Sequence, residues 1–175
     1  VTLASPSYLP AWFASDANLE SSSTLREGPD PHTARAEVNI PRADVVIEPG
    51  GDGSLERLRN ESHRGWLQEA AQRDAIGASV CTVARLLAAA GLLHQRPFTT
   101  YHDTFASVAA LDPKAQPCPG QRWIDDGQVI TDAGVSAGID MALHLVGRPA
   151  TPERAREVQD GIEYRPAPPT WASRS

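Results

Sequence analysis

Short apolar runs alternate along this chain with stretches in which apolar residues return every three or four positions. Asp44-Val45-Val46-Ile47 reads as a buried strand, closed by Pro49-Gly50-Gly51-Asp52-Gly53. Leu55, Leu58, Trp66, Leu67 and Ala70 then fall on one side of a helix. Ala75 to Val80 is the next strand. Val83, Leu86, Leu87 and Ala90 mark a face of the helix behind it, which Gly91 ends. A strand near Phe98-Thr99-Thr100 precedes a helix around residues 104–111. Arg122-Trp123-Ile124 and Val129-Ile130-Thr131 flank Asp125-Asp126-Gly127, a hairpin turn signal. Ala137 to Leu145 is an apolar helix, and Thr151-Pro152-Glu153 caps a last one running toward Glu163.

The ends carry less pattern. Val1 to Ser5 reads as a short strand, residues 6–40 as a long irregular loop rich in Ser, Pro, Asp and Glu, and residues 166–175 as a Pro-rich tail. There is no internal repeat, and 175 residues fit a single domain with a sizeable core. Strands that alternate with helices imply an α/β fold, a mostly parallel sheet with helices on both faces. In such sheets sites form at the carboxyl ends of strands. Two turns lie there: Pro49-Gly50-Gly51-Asp52-Gly53 and Val80-Cys81-Thr82.

The second turn carries chemistry. Ile76-Gly77-Ala78-Ser79-Val80 ends at Cys81, and a helical pattern begins at once. A helix start offers unpaired N–H groups and a partial positive charge, both of which favour a thiolate, the nucleophilic form. The arrangement is the sulfur counterpart of the strained strand–nucleophile–helix elbow known with serine. A buried structural cysteine is the plainer alternative on local pattern alone.

Composition narrows the function classes. Hydrophobic residues make up 41% and charged residues 22% of the chain, ordinary for a globular protein. The net charge of -6 argues against a nucleic-acid partner, which needs basic surface. No apolar run approaches a membrane span, and the start lacks the pattern of a signal peptide. Two cysteines, Cys81 and Cys118, without zinc spacing suggest a reducing, cytoplasmic setting.

Other motifs point elsewhere only weakly. His63, His94, His102 and His144 have no short ligand spacing, so no metal is expected. Gly50-Gly51-Asp52-Gly53 lacks the Lys-Ser/Thr of a P-loop. Ser136 in Gly134-Val135-Ser136-Ala137-Gly138 matches the serine elbow superficially but lacks partners in order. Asp140 reads as a structural carboxylate, and Trp66 and Trp123 as core or interface residues.

Four segments together resemble the ThiJ/PfpI superfamily. They are Asp44-Val45-Val46-Ile47-Glu48-Pro49-Gly50-Gly51, Ala78-Ser79-Val80-Cys81-Thr82, Ala88-Ala89-Ala90-Gly91-Leu92-Leu93, and Asp126-Gly127 through Val129-Ile130-Thr131 to Ala133-Gly134-Val135-Ser136-Ala137-Gly138-Ile139-Asp140. Cys81-Thr82 and the ending Ile162-Glu163-Tyr164-Arg165-Pro166 are similar to isonitrile hydratase-like members. The resemblance implies a flavodoxin-like three-layer sandwich, related to class I glutamine amidotransferases, and a homodimer. It implies no cofactor.

The resemblance also implies roles. Cys81 would be the nucleophile, with the N–H groups of Gly51 and Thr82 forming an oxyanion pocket beside Gly50. Gly51 is expected to allow close backbone approach. The Thr82 hydroxyl would orient substrate or water. The family's first strand, and the acid that follows it, precede the segment matched by Val1 to Ser5. Glu48, where the family usually has an apolar residue, and His102 are the candidate replacements, and Tyr101 stands where many relatives have histidine. Val83 replaces a usual glycine. The expected activity is that of a cysteine-dependent lyase or hydrolase on a small electrophile, such as isonitrile hydration. The alternatives are a non-enzymatic ligand or redox sensor and a glyoxalase- or deglycase-type activity.

Overall fold

The computed structural model describes residues 3–4, 43–51, 54–148 and 150–165. The loop expected at 6–40 and the tail at 166–175 lie outside the described residues. The strands are β1 (Leu3–Ala4), β2 (Val45–Glu48), β3 (Ile76–Ser79), β4 (Pro97–Phe98), β5 (Gln116–Pro117), β6 (Trp123–Asp125) and β7 (Val129–Asp132). The helices are α1 (Ser54–Arg59), α2 (Glu61–Gln72), α3 (Ala84–Ala89), α4 (Phe105–Leu111), α5 (Ala137–Gly147) and α6 (Pro152–Gly161).

Five strands form one sheet in the order β1-β2-β3-β7-β6. β1, β2, β3 and β7 run parallel, and β6 joins antiparallel through the expected hairpin. Asp125 Oδ1 accepts the Gly127 N–H at 2.8 Å, and Gly127 takes φ 84°, so the hairpin turn is closed by side chain and glycine together.

Alternation along the strands covers both faces. Val46 packs with Leu67, Ala75, Val83 and Leu86 under α2 and α3. Its neighbour Val45 joins Ala78, Ile130, Met141 and Leu145 under α5. The result is the parallel sheet covered on both faces that the pattern implied, in the three-layer, flavodoxin-like form that the resemblance implied. The registers Glu48↔Ser79 and Ser79↔Thr131 bring the carboxyl ends of β2, β3 and β7 to one edge. That edge holds the site.

Three expectations change. The single helix read across residues 55–70 is two, because Asn60 leaves helical geometry and its side chain accepts the His63 N–H to cap α2. The strand near Phe98 is only Pro97–Phe98, and it pairs outside the main sheet with β5. The helix after Cys81 begins as a 3-10 turn, Cys81–Val83, before the short α3.

Candidate active site

β3 delivers the chain to Val80 in extended conformation, and Cys81 then takes φ 60°. A non-glycine residue in the left-handed region is strained by roughly 1–3 kcal/mol and persists only where its surroundings impose it. Here both main-chain polar groups of Cys81 are held. Its N–H donates to Asp132 Oδ1 at 2.7 Å. Its carbonyl accepts from the Thr100 hydroxyl at 2.8 Å and from the Tyr101 N–H at 3.2 Å. Two segments distant in sequence thus fix the elbow.

The glycine loop after β2 closes on it. A Cβ on Gly50 would stand 2.6 Å from the Val80 carbonyl oxygen, 3.0 Å from the Cys81 Cβ and 3.3 Å from the Thr82 nitrogen. The close approach expected of Gly51 therefore falls on Gly50. A Cβ on Gly51 would meet nothing within 4 Å, and its requirement is its φ of +92°. The Gly51 N–H donates to Thr82 Oγ1 at 3.1 Å, which leaves the hydroxyl hydrogen of Thr82 to donate elsewhere. The Thr82 N–H reaches the Cys81 sulfur. Arg85 Nε steadies the turn by donating to the Thr82 carbonyl at 3.1 Å.

The remaining candidates are dispersed. Glu48 is fully buried on the face of α1 and α2. Its Oε1 lies 2.9 Å from His63 Nε2, and its Oε2 lies 3.7 Å from Arg57. The carboxylate is thus engaged away from the sulfur, because Glu48 shares the strand face of Val46. His102 is 72% exposed and pairs with Asp103 at 2.5 Å. The one-residue offset from Tyr101 turns it out to the surface, while Tyr101 stays at the elbow through its N–H. Ser136 Oγ accepts from Arg122, whose guanidinium also pairs with Asp140. Asp140 accepts the Tyr164 hydroxyl at 2.8 Å as well, a structural tie between α5 and the segment after α6. Both cysteines are free, and Cys118 sits beyond β5 with its N–H on the Phe98 carbonyl. Among the described residues no cluster of His, Cys, Asp and Glu is arranged to hold a metal.

One group escaped the reading of the sequence. Asp132, the last residue of β7, is fully buried beside the elbow. Burial pushes its carboxyl up to about 6, while the Cys81 N–H and the charge of Arg122 pull it down. The available signal was an acid at the carboxyl end of a central parallel strand. The thiol itself departs from expectation. Burial pushes the Cys81 thiol up, the Thr82 N–H pulls it down, and the charge of Asp132 pushes it up again, for a net rise. A short 3-10 turn supplies too little of a helix field to reverse this.

The fold and the elbow define a class: an α/β domain with a cysteine on a strained turn at the carboxyl edge of a parallel sheet. The pattern of the DJ-1/PfpI family matches residues 4–148, and the chain belongs to that family. Isonitrile hydratase of Pseudomonas putida is 36% identical over 134 residues, 75% of this chain and 56% of that protein. The HTH-type transcriptional regulator GbdR of Pseudomonas aeruginosa is 32% identical over 124 residues, 71% of this chain and 32% of the regulator. The chain thus spans little more than half the length of one relative and a third of the other. A ThiJ/PfpI family protein from Pseudomonas syringae superposes with a TM-score of 0.66 at 30% identity, over 76% of this chain and 54% of that one. Drosophila melanogaster DJ-1beta shares the fold, with a TM-score of 0.65 at 22% identity over 71% of this chain and 66% of that one. No helix among the described residues is long and apolar enough to cross a membrane.

Proposed function

We propose that this protein is a cysteine-dependent enzyme acting on a small electrophile, with hydration of an isonitrile to an N-substituted formamide as the favoured reaction. The observation that carries this is the Cys81 elbow: a strained φ of 60° with a backbone N–H on the sulfur. The similarity to isonitrile hydratase supports the substrate class.

The steps balance with water alone. Cys81 sulfur bonds to the terminal carbon of the isonitrile, and a proton adds to that carbon, giving a thioimidate. Water then bonds to the same carbon, the carbon–sulfur bond breaks, and the thiol regains its proton as formamide leaves. The Thr82 hydroxyl, held by the Gly51 N–H, orients the water or the nitrogen. The free hydroxyl hydrogen of Thr82 serves the charge that develops in each addition, while the Gly51 N–H holds the hydroxyl oxygen and the Thr82 N–H stays on the sulfur. In this reading the enzyme is a cytoplasmic homodimer and needs no cofactor.

The test is formamide production from a panel of alkyl and aryl isonitriles, run beside glyoxals. Wild-type protein should convert at least one isonitrile, and Cys81→Ser should not. Full activity of protein in which mass spectrometry shows Cys81 completely alkylated by iodoacetamide would sink the proposal. One observation favours a sensing role instead: the resting thiol is held protonated, as suits a group that reacts only when its surroundings change. Ligand binding without turnover, retained in Cys81→Ser, would select that reading.

A further inference from the structure

Asp132 has more chemistry than its visible contact uses. Its Oδ1 accepts the Cys81 N–H at 2.7 Å. Its Oδ2 is buried and has no hydrogen-bond partner among the described residues. Room for that oxygen comes from Gly138, where a Cβ would stand 3.1 Å away. Fixing one N–H needs only a neutral acceptor, and a buried carboxylate with an unpaired oxygen is a costly way to provide one. What the carboxylate adds is a titratable charge next to the nucleophile.

The groups around it leave few rivals. From the β3–α3 turn come the Cys81 thiol and the Thr82 N–H. From the segment before β6 comes Arg122, which acts through its charge and is itself tied to Asp140 and Tyr164. α5 contributes Gly138. The segment at Thr100 and Tyr101 engages the Cys81 carbonyl, and His102 is bound to Asp103 at the surface. From β2, Glu48 is turned to the opposite face with His63 and Arg57. Cys81 and Asp132 are therefore the titrating pair of the site.

We infer that Asp132 is a positioning residue for Cys81: it pins the elbow through the main-chain N–H and, by its own charge, sets how readily the thiol ionises. The inference rests on the proposed cysteine chemistry. Two arrangements have the same proton count, thiol with carboxylate and thiolate with carboxylic acid. Passing from the first to the second moves one proton from sulfur to the carboxyl and needs no other reactant. The two groups are coupled through charge, so the ionised carboxylate suppresses the thiolate and the protonated acid releases it.

The experiment is the pH profile of Cys81 alkylation by iodoacetamide, read by mass spectrometry with Cys118 replaced by Ser. The wild-type rate should break in slope near pH 6, where the carboxyl ionises. Asp132→Asn keeps an acceptor for the Cys81 N–H but removes the charge. It should abolish the break and speed alkylation at mild alkaline pH by roughly threefold or more, about half a pKa unit. Asp132→Ser, with a shorter acceptor, should also lose the break. A wild-type profile without a break, or Asp132→Asn no faster than wild type, overturns the inference while leaving a reactive Cys81 in place. A Cys81 that resists alkylation at every pH overturns the proposed cysteine chemistry, and this inference with it.

Discussion

Gly50 and Cys81 touch across the sheet edge, and a Cβ on the glycine would stand 3.0 Å from that of the cysteine. The Val80 carbonyl oxygen would be nearer still, at 2.6 Å, and backbone cannot swing away as a flexible side chain can. Gly50→Ala should therefore push the loop off the elbow, costing roughly 1–3 kcal/mol of stability. It should also separate the Gly51 N–H from Thr82. Gly51→Ala meets no atom within 4 Å but must hold φ +92°, so it should cost roughly 1–2 kcal/mol by strain alone. Urea unfolding and turnover of both variants check this. Equal turnover losses in the two would show that the close contact does not shape the site.

Adjacent glycines also show where reading the sequence stops. Pro49-Gly50-Gly51 announces a loop that must come close to something, but which glycine carries the contact depends on β2–β3 register, which is not local. Cys81 was legible because its signal is local: an apolar run that ends at a thiol, followed at once by helical spacing. The break at Asn60 was equally local, an N-cap residue ahead of Glu61, and was overridden by apolar residues that continue in phase beyond it. Asp132 reaches Cys81 only because β7 pairs with β3, joining positions 51 residues apart. Nothing near either residue specifies that pairing. The fold class survived these gaps because strand and helix alternation averages over many residues, whereas the site depends on single ones.

The raised thiol has a direct kinetic consequence. Burial and the charge of Asp132 outweigh the Thr82 N–H, so Cys81 is mostly protonated at neutral pH. Iodoacetamide should alkylate it more slowly at pH 7 than it alkylates a cysteine in an unstructured peptide. The rate should still be climbing about a pH unit above the peptide midpoint of about 8.5, where that of the peptide has levelled off. A rate already flat at neutral pH would show that the turn lowers the thiol after all.

Glu48 and His63 form a separate unit on the α1–α2 face. Removing one partner of a buried pair leaves an uncompensated group, whereas an apolar replacement of the acid removes that need. Because Arg57 stays 3.7 Å from the carboxylate, His63→Ala should cost roughly 1–3 kcal/mol, and adding Glu48→Leu should recover part of the loss. Denaturant unfolding of the two variants checks the order. Because the carboxylate faces away from the sulfur, Glu48→Gln should leave the pH profile of Cys81 alkylation unchanged. A shifted profile would instead make Glu48 the acid of the site.

Asp132 links stability to pH with a sign opposite to that of a salt-bridged acid. Burial raises its folded value to about 6, above the value near 4 of an unfolded chain. The fold therefore holds the proton more tightly than the unfolded chain does. That contribution is fully present below the unfolded value and is lost as pH rises through about 6. Asp132→Asn carries no such titration. The stability of the variant minus that of wild type should grow between about pH 4 and about pH 7 and then level off, with a total change of up to about 3 kcal/mol. Urea midpoints across that window measure it. Parallel curves for the two proteins would mean that the carboxyl ionises in the fold as it does in the open chain, and that the unpaired oxygen beside Gly138 costs the protein nothing.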